Sequence, residues 1–104
     1  MSARRTGSIR LSKDHPALAG HFPGNPVVPG VLLLERLLEA AEEQFGHPLR
    51  VAGLTHVKFP SPLLPEEVAR VSFEVTGTRL DFEVEHEERL IARGAFRLAT
   101  AGDA

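Results

Sequence analysis

From residue 50 onward the chain is written in period two. Val71, Phe73 and Val75 alternate with polar residues, and so do Leu80, Phe82 and Val84. Such alternation puts every second side chain on one face of a strand, which describes a sheet with one apolar and one wetted face. Four segments read this way: "RVAGLTHVKF" (50–59), "VARVSFEVTG" (68–77), "TRLDFEVEHE" (78–87) and "RLIARGAFRLAT" (89–100). Short turns between consecutive strands require antiparallel pairing. Another short strand is expected over 7–11, and the charge run "EVEHEER" (83–89) is expected to be a solvated hairpin edge that deters strand addition.

A one-sided sheet needs a cover, and the chain offers one. Over 31–45, Leu34, Leu37, Leu38, Ala41 and Phe45 recur at helical spacing, and Gly46 followed by Pro48 ends the run. The fold class is therefore α+β, one long helix lying against, or wrapped by, a curved antiparallel sheet of about five strands. At 104 residues this is one domain without room for a second core, with 1–6 and 100–104 expected as flexible tails. So small a domain buries only roughly 60–65% of its extended surface, so a dimer that shares core or site is favoured.

Composition removes several kinds of function. A net charge of −2 gives no electrostatic grip on nucleic acid. There is no cysteine, hence no disulfide, thiolate chemistry or sulfur-ligated zinc. His15, His47, His56 and His86 are scattered, with no helical histidine pair and no matching carboxylate cluster, so no metal is expected. The first residues, "MSARRTGSIRL", lack an apolar core segment, and the longest apolar run, 31–34, is far too short to span a bilayer. A soluble cytoplasmic protein is the expectation.

The segment between first strand and helix differs in kind. Residues 12–30, "SKDHPALAGHFPGNPVVPG", form nineteen residues of connection stiffened by Pro16, Pro23, Pro26 and Pro29. Long ordered loops in small domains are commonly functional. Within 20–35, "GHFPGNPVVPGVLLLE", His21 opens the stretch and Glu35 closes it. These are the side-chain types best suited to moving protons near neutral pH. Taken alone, His21 fits a turn histidine equally well. Glu35, beside Glu39 and Glu42 at the border of the apolar stripe, fits a solvated glutamate.

That stretch resembles the signature of the β-hydroxyacyl–acyl carrier protein dehydratases. The match covers Gly20-His21-Phe22-Pro23, Pro26-Val27-Val28-Pro29-Gly30-Val31-Leu32, and Glu35 fourteen positions after His21. "VKFPSPLLPEE" (57–67) looks like the family's Lys-Phe-x-x-Pro strand and turn. The resemblance spans roughly 7–99 and implies a hotdog fold and removal of water from a β-hydroxyacyl thioester, giving the trans-2-enoyl thioester. It implies His21 as base and Glu35 as acid, acting across a homodimer with some relatives assembling further. Gly30, Val31 and Phe22 would form the oxyanion and substrate-binding set, and Leu18 and Val28 are further lining candidates.

The chemistry agrees with those roles. A neutral histidine can take the α-proton, and a carboxyl kept protonated in an apolar site can protonate the departing hydroxyl. A glycine at a helix start supplies no side-chain acceptor, which leaves first-turn amides for an external oxygen. No cofactor of the protein's own is implied, because the substrate arrives on the phosphopantetheine of an acyl carrier protein or as a CoA thioester. Arg4, Arg5, Arg10, Lys13, Lys58, Arg70, Arg79, Arg89, Arg93 and Arg97 are candidates for docking an acidic carrier.

Two departures stand out. Arg36-Leu37-Leu38-Glu39 replaces the family's Ala-Met-Ala-Gln, and a second carboxylate one turn from Glu35 would oppose its ionisation if both were buried. The chain is also shorter than fatty-acid dehydratases of this type and resembles specialised members of polyketide-like or aryl polyene pathways. Glutamate rather than aspartate at 35 resembles the branch that dehydrates without isomerising the double bond. The rival readings are a hotdog acyl thioesterase, which the intact His-Phe-Pro turn argues against, and a non-catalytic acyl-binding partner.

Overall fold

In a computed structural model the described residues are 2–14 and 27–100. They form β1 (Ser2–Ile9), α1 (Gly30–Phe45), β2 (Val51–Lys58), β3 (Ala69–Thr76), β4 (Arg79–His86) and β5 (Arg89–Leu98). The strands make one sheet in the order β1-β3-β4-β5-β2. Every neighbouring pair is antiparallel. One helix and a five-strand antiparallel sheet is the architecture that the alternation implied.

The period-two residues form the covered face. Val71, Phe73, Leu80, Phe82 and Val84 are buried, with Ala92 and Phe96 from β5 beside them. Phe82 and Phe96 meet with ring centroids 5.2 Å apart. The helix brings Leu33, Leu37, Ala40 and Ala41 to this core. Leu34, Leu38 and Phe45 of the expected stripe are only partly buried, so the stripe is rotated toward Leu33 and Ala40. Truncating the fully buried Leu37 to alanine would cost about 2–5 kcal/mol on ordinary core statistics.

Two expectations need correction. β1 begins at Ser2, so residues 2–6 are paired strand and not a tail. Its polar sequence conceals this, because pairing with β3 gives it backbone partners without an apolar face. Residues 101–104 lie outside the described residues. "EVEHEER" is no sheet edge, since it joins β4 to β5, two interior strands, through a two-residue turn at Glu87 and Glu88. Glu87 takes φ 56° there, a left-handed conformation that disfavours a side chain and gives no turn signal in the sequence.

Two local features shape the ends of the helix and its surroundings. β5 carries a bulge: Val84 faces Ala92 while Glu85 faces Leu90, leaving Ile91 without a register partner and turned into the core with Ala92. The helix ends at Gly46 (φ 78°), whose N–H donates to Glu42 O at 2.8 Å. The Leu49 N–H donates to the Glu42 carboxylate at 2.8 Å, closing that end further.

Candidate active site

The helix begins as unusually open as it ends closed. Pro29 is the N-cap, extended at φ −61° and ψ 144°, with no side-chain cap and no acid in the first turn. Its carbonyl accepts from Leu33 N at 3.0 Å. Among the described residues nothing accepts from the amides of Gly30, Val31 and Leu32. Proline explains the arrangement, since it fixes an extended entry while bringing neither an N–H nor a side-chain acceptor.

A cavity of about 440 Å³ lies beside this helix end. Val28, Gly30 and Leu33 form one wall, Ile91 contributes from the β5 bulge, and Phe59, Ser61, Pro62 and Leu63 close it from the β2–β3 loop. Its side chains are apolar apart from Ser61, with backbone polar groups exposed between them. The Phe59 ring lies over Gly30, where a Cβ would meet ring Cζ at 3.0 Å, so glycine is what lets the ring approach. A smaller depression of about 220 Å³ sits on the outer sheet face among Arg4, Glu74, Arg79, Asp81 and Arg93. That face is a charged, solvated one.

The β2–β3 loop is tied at several points. Val28 N donates to Leu63 O and Glu66 N to Leu11 O, both at 2.8 Å. Glu66, at φ 74°, accepts from Lys13 N at 2.9 Å and pairs with Arg10 at 2.6 Å. The amide of Lys13, then Arg10 and Lys13 as cations and Ser12 by hydrogen bonding, hold the Glu66 carboxyl below the usual range against some desolvation. Glu67 accepts from Leu64 N at 2.8 Å and pairs with Arg89 at 2.9 Å and His86 at 3.0 Å. Desolvation acts first and against its ionisation, but the Leu64 amide, Arg89 and His86 together outweigh it and keep this carboxyl low.

The residues singled out from sequence divide. Gly30 is at the helix start and lines the cavity, as does buried Val28. Val31 is 72% exposed and its side chain is not part of the cavity wall. Glu35 is exposed on a helix position one turn after Val31, with no hydrogen bond or ion pair among the described residues. Glu39 is exposed too and faces Arg36 at 3.7 Å, so the condition of two buried carboxylates is not met. His21, Phe22 and Leu18 lie outside the described residues. Of the docking candidates, Arg10, Arg70, Arg79 and Arg89 are engaged in ion pairs and Arg5 lies over the Phe45 ring at 5.5 Å. No cluster of metal-ligating side chains occurs among the described residues. Sequence reading missed Phe59, Ile91 and the Glu67–His86–Arg89 group. Only Phe59 had a signal, in the quoted Lys-Phe-x-x-Pro segment.

Comparison with known proteins places this geometry. The chain is 34% identical over 86 residues to the 3-hydroxyacyl-acyl-carrier-protein dehydratase FabZ of Alkaliphilus metalliredigens, covering 76% of this chain and 58% of that one. It is 35% identical over 83 residues to FabZ of Thermomicrobium roseum, covering 73% and 56%. It therefore spans under three fifths of the length of these relatives. The dehydratase heterocomplex ApeI:P from Xenorhabdus doucetiae contains a chain that superposes with a TM-score of 0.81 at 20% identity, covering 93% of this chain and 88% of that one. That likeness supports the hotdog fold. A family model described as ApeI-like, ApeI dehydratase, matches residues 2–95, and the chain belongs to that family.

Proposed function

We propose that this protein removes water from a β-hydroxyacyl thioester carried on an acyl carrier protein, leaving the trans-2-enoyl thioester. The observation that carries the reading is the set of first-turn amides at Gly30 that have no acceptor among the described residues, opening beside a cavity of mostly apolar side chains, in a chain of the ApeI-like dehydratase family. The thioester carbonyl is placed at those amides. His21 takes the α-proton, and the electron pair moves onto the carbonyl oxygen, where the amides and the positive helix end stabilise it. The electrons return to form the α,β double bond as the β-hydroxyl leaves, protonated by Glu35 as water. Atoms and charge balance, and no cofactor enters the reaction. Fatty-acid or aryl polyene synthesis supplies substrates of this class. Residues 1–104 act as one domain in the cytoplasm.

Glu35 belongs to a homodimeric site in this reading. Leu33, Leu37, Ala40 and Ala41 turn toward the sheet, whereas Glu35 is exposed and has no partner among the described residues of the single chain. A carboxyl that must stay protonated needs apolar cover, which a second copy would supply together with its own His21. Val31 on the same helix, and Val51 and Leu54 on the edge strand β2, are large apolar side chains left exposed for such a partner.

The test is mass spectrometry of β-hydroxyacyl carrier protein incubated with wild type, His21→Ala and Glu35→Gln. Loss of one water with wild type alone is expected. Free carrier thiol would replace the reading with thioester hydrolysis. An unchanged mass across several acyl groups would leave a binding module.

A further inference from the structure

We propose that Glu67, gripped by His86 and Arg89, is the positioning residue that fixes the shape of the acyl cavity. The proposal rests on the dehydratase reading above for the cavity's occupant. Three bonds converge on one carboxylate: Leu64 N at 2.8 Å, Arg89 Nη2 at 2.9 Å and His86 Nε2 at 3.0 Å. The Arg89 Nη2 also donates to Pro62 O at 3.2 Å. His86 Nδ1 lies 2.7 Å from Val68 O. The β4–β5 hairpin thus holds the β2–β3 loop at Pro62, Glu67 and Val68, and Glu67 in turn takes the amide of Leu64 within that loop. Pro62 and its neighbour Leu63 are cavity wall, and Leu63 O in turn accepts from Val28 on the opposite wall.

The group is built for position more than for surface charge. The Glu67 and His86 side chains are only 20% and 18% exposed. Both ring nitrogens of His86 face oxygens, Glu67 Oε2 on one side and Val68 O on the other, so the ring bridges two points of the loop. Glu87 is the other charge near that ring, at 4.0 Å and on the exposed turn. Glu67 offers two oxygens and spends both, one on Leu64 and Arg89, the other on His86. Removing it leaves three donors without their acceptor and frees the wall that Phe59, Pro62 and Leu63 form.

The test pairs hydrogen exchange with steady-state kinetics on the full chain carrying Glu67→Gln, Arg89→Gln or both. Faster exchange is expected at the Leu64 and Val28 amides, with the interior β3–β4 amides unchanged. For the best wild-type substrate KM should rise about tenfold while kcat stays within about threefold, the pattern of lost uniform binding. Preference between short and long acyl chains should narrow, and the double variant should lose less than the sum of the two single ones, because Arg89 acts partly through Glu67 and partly through Pro62 O. Glu67→Asp should restore part of the protection. Unchanged exchange at Leu64 and Val28, a loss confined to kcat, or additive effects in the double variant would each overturn the clamp. If the wild type dehydrates nothing, the dehydratase reading fails, while the exchange data still decide whether Glu67 holds the loop.

Discussion

The two ends of α1 have opposite designs. At the C-terminal end the chain satisfies itself: Gly46 turns left-handed and bonds back to Glu42 O, and the Glu42 carboxylate takes the amide of Leu49. At the N-terminal end Pro29 offers no side-chain acceptor, and the cavity begins where a cap would sit. One end closes on itself; at the other, no described residue accepts from the first-turn amides, which is what the proposed reaction would use. The difference teaches where to look for chemistry in a small fold. A helix end without a cap is a standing loss of about 1 kcal/mol, and it persists where those amides have another use.

Capping the open end should break the contrast most sharply. Pro29→Asp adds a carboxylate that competes for the first-turn amides, so kcat should fall on the order of 10²-fold, as for loss of an oxyanion donor. The same change should not lower the melting temperature, because capping adds about 1 kcal/mol to the helix. Full activity in a capped variant would remove these amides from the mechanism. Gly30→Ala comes next. Its Cβ would meet Phe59 Cζ at 3.0 Å, and displacing that ring should reduce kcat/KM about tenfold. Wild-type kinetics would mean that Phe59 swings aside and does not define the wall.

Gly46→Ala tests the closed end. With φ at 78° the substitution should cost about 1 kcal/mol in urea unfolding and leave kcat unchanged. A change in activity there would sink the separation of roles. The smallest effect is one of pH. Glu66 and Glu67 titrate below the usual carboxylate range when folded. The unfolded chain therefore binds more protons as acid is added, so their stabilisation is complete above the ordinary carboxylate value and is lost as pH falls from there through the lowered folded value. The urea midpoint should drop from pH 7 to pH 4, and less steeply in Glu67→Gln. Equal slopes would assign the acid sensitivity to other groups.

What the sequence makes legible depends on how each feature is held. β3 and β4 declare themselves, because alternating Val71, Phe73, Leu80, Phe82 and Val84 express burial through side chains alone. α1 is legible in the same way, and its first residue falls at Gly30, one position ahead of the expected 31. β1 is not, since its pairing with β3 runs through backbone and its side chains are largely polar and exposed. In the site, Gly30 is recoverable because a glycine after proline at a helix start has a local meaning. The Glu67–His86–Arg89 group is not. It joins residues 22 positions apart or nearly so, and within "EVEHEER" His86 looks like any other surface charge.

The ties on the β2–β3 loop carry one more consequence, for chain length. Leu11 and Lys13 bond to Glu66, and Val28 bonds to Leu63. Residues 15–26, which include His21, therefore run between two anchors set on the same loop. Closing a segment between fixed ends grows more costly only slowly with length, by about 0.6 kcal/mol per doubling. A change of length there that spares the Gly20–Pro23 signature should thus cost the fold little, because helix, strand end and cavity wall are tied to one another by the anchors themselves.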